Sequence, residues 1–87
     1  MNINVDDLRA AVARRMGINE AEIQPEASLR DILGLSPTAI NSIDVMEAFL
    51  GGLVELGATT ELDLPAITLD DKVTDVLSVL VACAAKQ

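Results

Sequence analysis

Ser42 lies in the run Asn41-Ser42-Ile43-Asp44-Val45-Met46-Glu47, a hydroxyl followed by two carboxylates at helical spacing. The chain contains no histidine. A Ser-His-Asp triad, a Cys-His dyad and a histidine-based zinc site are therefore excluded within it. With no histidine to serve as its base, Ser42 is not expected to be a self-activated nucleophile. Three other features carry less. Ser36-Pro37 pairs an N-cap residue with a first-position proline, which reads as a helix start. Cys83 is the single cysteine, so no internal disulfide forms, and it reads as a small packed residue of the last helix. Asp70-Asp71 lacks the alternating oxygen ligands and glycine of a calcium loop, so a solvated turn and no metal site are expected.

These residues need elements to position them. The pattern Val5, Leu8, Val12, Met16 predicts a helix from Val5 to Met16. Asn4 is its N-cap, Asp6 and Asp7 favour its positive start, and Arg14, Arg15 and Gly17 mark its end. A long connection follows, pinned to the core by Ile23, with a short turn capped by Ser28 that runs through Leu33 and ends at Gly34. Pro37 to Ile40 reads as a further separate turn. The next helix runs from Ser42 to about Leu56, capped by Asn41, with Ile43, Met46, Leu50 and Leu53 in one apolar row and Val45, Phe49 and Leu56 in another. Gly51-Gly52 inside it costs about 1 kcal/mol per glycine against alanine, and it kinks the helix, ends it or admits a close neighbour. Ala58 to Asp71 reads as a loop in which Ile67 and Leu69 anchor a short helical turn. The last helix is expected from Asp75 to Ala84, capped by Thr74 and apolar almost all round, hence heavily buried. The fold expected is all-α: one domain over residues 1–87, a small bundle of three main helices plus short helical turns.

Composition bounds the partners. Fourteen acids against six bases give a net charge of -8. That argues against nucleic acid and against anionic membrane surfaces, and it suits basic protein partners met through steered encounters. Half of the residues are apolar, enough for one core, with Phe49 the only aromatic. No apolar run reaches the length of a membrane span. Polar and acidic first residues exclude a secretory signal, so a cytoplasmic, monomeric protein is expected, and the Met1 start with short termini suggests a free-standing one.

In its Leu33-Gly34 turn, in Asn41-Ser42-Ile43 at a helix start, and in acids two and five positions after the serine, the chain resembles the acyl carrier protein family. The resemblance extends to Pro25-Glu26-Ala27-Ser28-Leu29 with Asp31 to Gly34, to Leu64-Pro65, and to Lys72-Val73-Thr74-Asp75-Val76, nearly the whole chain. It implies an acyl-carrier-like bundle that is not an enzyme. Ser42 would take a covalent 4'-phosphopantetheine arm from coenzyme A through a phosphopantetheinyl transferase. The arm's thiol would then carry acyl groups as thioesters among acyl-transferring and chain-elongating enzymes. Ile43 and Met46 would line an acyl pocket, and Asp44, Glu47 and Glu55 would form the docking face.

The chain departs from the family at three places. Asn41 stands where the family has Asp. The span from Gly34 to Ser42 is longer than in fatty-acid carriers, and Gly51-Gly52-Leu53 replaces acids. These departures point toward a specialised polyketide or lipid pathway rather than primary fatty acid biosynthesis. Two alternatives remain: a peptidyl or aminoacyl carrier, against which Asp44 and Glu47 argue, and an unmodified carrier-like interaction domain. Ser36 also follows Leu-Gly, but its pairing with Pro37 favours a cap over an attachment point.

Overall fold

A computed structural model describes residues 2–58 and 66–85. All regular structure among them is helical: α1 (Val5–Met16), a 3-10 turn (Glu20–Glu22), α2 (Leu29–Leu35), α3 (Ser42–Glu55) and α4 (Val73–Ala85). The all-α expectation holds, with four helices where three main ones were expected, because the turn after Ser28 grows into the seven-residue α2. The Leu64-Pro65 pair lies outside the described residues.

Helix α1 follows its sequence signals. The Asn4 side chain accepts from the N–H groups of Asp6 and Asp7 and so satisfies two donors of the first turn. Gly17 takes φ 71°, and Ile18 N–H reaches back to Ala13 C=O at 3.1 Å, closing the last turn. An alanine there would be strained, and its Cβ would also meet the Pro37 ring at 3.2 Å. Leu8, Ala11, Val12, Ala13 and Met16 are buried, whereas Val5, expected on this face, is exposed at the open first turn.

Helix α2 begins with a complete capping box, Ser28 Oγ accepting from Asp31 N–H and the Asp31 carboxylate from Ser28 N–H. It does not stop at Gly34. It runs on to Leu35 because the next break is Pro37, which disfavours helical geometry at the residue before it. Ser36 is accordingly extended, with φ -75° and ψ 131°. Pro37 starts no helix either: residues 37–38 form a bend, and 39–40 lead irregularly to α3.

In α3 the buried stripe is Val45, Ala48, Phe49, Gly52 and Leu53. Of the row expected with Ile43, Leu53 is buried, Met46 and Leu50 are half-buried and Ile43 itself is exposed. Gly51-Gly52 does not end the helix, which runs through both to Glu55. A Cβ on Gly52 would meet Leu8 at 3.2 Å, Ala11 at 3.4 Å and Val12 at 3.5 Å, so this glycine lets α1 pack closely on α3. The core they share is filled by Phe49, Leu8, Met16, Leu53 and Leu80, all essentially inaccessible to solvent.

Helix α4 starts at Val73, two residues before the expected Asp75, and Thr74 is not its cap. Val73 N–H donates to Ala27 C=O at 2.8 Å and Thr74 N–H to Pro25 C=O at 3.2 Å. The donors that a cap side chain would satisfy are thus taken by the loop before α2. Leu29 N–H to Asp71 C=O and Arg30 N–H to Leu69 C=O complete this seam. Ile23 is buried as expected. Thr68–Asp71 is a hydrogen-bonded turn rather than a helical one, closed by the Asp71 carboxylate accepting from Thr68 N–H at 2.8 Å. Among the described residues no helix is long and apolar enough to cross a membrane.

Candidate functional site

The start of α3 is built from three side chains. Asn41 Oδ1 accepts from Ile43 N–H at 3.0 Å and Asp44 N–H at 3.2 Å. In return the Asp44 carboxylate accepts from Ile40 N–H at 2.7 Å and Asn41 N–H at 3.3 Å. The incoming chain and the first turn therefore hold each other, and Asn41 performs the cap that an Asp would. Ser42 is the first helical residue, exposed to solvent. No hydrogen bond among the described residues engages its hydroxyl. It sits beside the positive end of a 14-residue helix, a favourable place for an anionic phosphodiester.

Ser36 is used differently. Its Oγ donates to Met16 C=O at 2.7 Å and accepts from Thr38 N–H at 3.3 Å and Ala39 N–H at 3.0 Å. One hydroxyl thus joins the end of α1, the end of α2 and the bend that leads to α3.

The remaining site residues do not converge on one point. Ile43 beside Ser42 is 65% exposed, and Ile40 just before it is 84% exposed. Sequence reasoning missed Ile40, although an isoleucine in a stretch with no periodic pattern was a usable signal. Met46 is half-buried one turn further along. A cavity of about 210 Å³ lies on the side of α3 that faces α1. Arg15, Met16, Thr38, Ala39, Asp44, Glu47 and Ala48 line it. Ile43 and Met46, expected in an acyl pocket, are not part of that lining. Asp44 is half-buried and committed to the capping box, whereas Glu47 is exposed.

Glu55 lies about 20 Å along the axis from Ser42, from the rise per residue of a helix. It receives Arg14 Nη2 on one carboxylate oxygen and Arg15 Nε at 3.3 Å on the other. The hydrogen bond from Arg14, with the attraction of both guanidiniums, holds the Glu55 carboxyl below its ordinary value. Arg14 and Arg15 were legible only as cations suited to a helix C-terminus; their partner forty residues on gives no local signal. Among the described residues no cluster of three or more metal-ligating side chains occurs. Comparison of the chain with protein-family models, curated proteins and solved structures finds no match.

Proposed function

We propose that this protein is an acyl carrier, modified at Ser42 with a 4'-phosphopantetheine arm that presents acyl thioesters to partner enzymes of a specialised lipid or polyketide pathway. The observation that carries the reading is the contrast at the start of α3. Asn41 and Asp44 satisfy the backbone there, which leaves Ser42 exposed and its hydroxyl unengaged among the described residues. The chain has no histidine to activate it, so in this reading the transferase takes the Ser42 proton. In that step a bond forms from Ser42 Oγ to the phosphorus that bears pantetheine, and the pyrophosphate linkage of coenzyme A breaks. Asp44 and Glu47 supply negative charge within one and two turns of the serine, which suits transferases and acyl-handling enzymes with basic surfaces. Ile43 supplies an exposed apolar side chain next to the attachment point.

The test is intact mass after incubation with coenzyme A and a broad-specificity phosphopantetheinyl transferase. One phosphopantetheine is expected on the parent protein and on Ser36→Ala, and none on Ser42→Ala. A second reading, an unmodified interaction domain, is favoured by the exposed Ile40 and Ile43. It predicts no mass gain with any of several transferases.

A further inference from the structure

Gly51 carries a cost with no return in the core. It lies inside α3, where glycine is about 1 kcal/mol worse than alanine, yet it is its neighbour Gly52 that admits α1. What Gly51 admits is a cation. A Cβ there would lie 2.6 Å from Nη1, 2.7 Å from Cζ and 2.9 Å from Nε of Arg15. The guanidinium therefore lies against the bare helix backbone at this point.

Glu47, Gly51 and Glu55 are spaced four residues apart, so they form one stripe along α3 with the glycine between two acids. Arg15 reaches Glu55 at 3.3 Å and also lines the cavity it shares with Asp44 and Glu47. Its side chain remains 44% exposed, so it can be displaced without opening the core. Glu47 has no ion-pair partner among the described residues, and Glu55 keeps Arg14 if Arg15 leaves.

We propose that this notch over Gly51 is a receptor for an arginine side chain of a partner enzyme, and that Arg15 occupies it in the free protein as an intramolecular competitor. The inference rests on the reading of the α3 acids as a docking face. The occupant is assigned by what already fills the notch: a planar guanidinium laid on backbone, with a carboxylate at one end and a second carboxylate one turn away. Binding then exchanges one guanidinium for another, so the partner gains affinity only by what it adds around the notch.

The probe is N-acetyl-arginine amide, titrated against the full chain while the amide resonances of Glu47, Gly51 and Glu55 are followed. Arg15→Ala is expected to tighten the probe at least threefold relative to the parent. Arg14→Ala removes the same charge from the same helix end but leaves the notch filled, and should tighten it less. Adding Gly51→Ala to Arg15→Ala should abolish the gain, because the methyl group fills the notch. In the transferase reaction Arg15→Ala should lower KM several-fold and Glu47→Gln should raise it.

Equal tightening by Arg14→Ala and Arg15→Ala, or a gain that survives Gly51→Ala, overturns the notch in favour of a general charge effect. Mass gain at Ser42 without such probe binding keeps the carrier reading and removes the notch. Probe binding without mass gain keeps the notch as an arginine receptor and removes the attachment point.

Discussion

Two serines six residues apart, each downstream of the same Leu33-Gly34 pair, have opposite situations. Ser36 commits its hydroxyl, donating to Met16 C=O and accepting from the Thr38 and Ala39 N–H groups, with Thr38 Oγ1 a further contact at 3.5 Å. The Ser42 hydroxyl makes no hydrogen bond among the described residues, because Asn41 does the capping one position earlier. A serine in the cap position is held by the backbone it serves, whereas a serine one residue inside the helix is presented by it. Modification of Ser36 would break the bonds that join α1, α2 and the approach to α3; modification of Ser42 would break no hydrogen bond of its hydroxyl among the described residues.

The largest expected effect is the transfer reaction itself. Ser42→Ala should lose phosphopantetheine incorporation entirely and Ser36→Ala should keep it, and mass gain on Ser42→Ala would break the contrast outright. The next effect is on stability and runs the other way. Ser36→Ala should lower unfolding stability by about 1–2 kcal/mol, because a part-buried Met16 carbonyl loses its donor and two N–H groups lose their acceptor. Ser42→Ala should stay within about 0.5 kcal/mol of the parent, like other surface changes away from such features. Urea midpoints at constant slope measure both.

Asn41→Ala sharpens the comparison from the other side. It should cost about 1 kcal/mol as a lost N-cap, while Asn41→Asp should be nearly neutral because the carboxylate caps equally well. The smallest effect lies at the far end of α3. The Glu55 carboxyl is held below its ordinary 4.5 by Arg14 and Arg15. Its contribution is therefore fully present above that ordinary value and is lost as pH falls through the lower folded value. An NMR titration of Glu55 should show the depressed midpoint in the parent and its return toward 4.5 in the Arg14→Ala, Arg15→Ala double variant.

Local chemistry was legible wherever the cause is local. Asn4, Ser28 and Asn41 cap the helices they were expected to cap, and Gly17 stops α1, because each acts within four residues of itself. The expectation failed where a signal had two local readings. Gly34 could end a helix or lie in one, and α2 runs past it to the break set by Pro37. Ser36-Pro37 could start a helix or close a bend, and the bond from Ser36 to Met16 goes with the bend. It failed again at α4, whose first turn is completed by the carbonyls of Pro25 and Ala27 rather than by Thr74.

The sequence by itself determined that this chain is helical, acidic and without histidine, since these follow from residue type and short-range spacing. It also set Ser42 one residue inside its helix, because a capping box closes over four residues. Only the tertiary structure decided which residues stand together beyond that range. It laid Arg15 on Gly51 and tied Glu55 to α1, and it placed Ile40 and Ile43 in solvent beside the candidate serine. The physical reason is that caps and periodicity are properties of neighbours in the chain. The pairing of charges and the crossing of helices depend on how the elements share one small core.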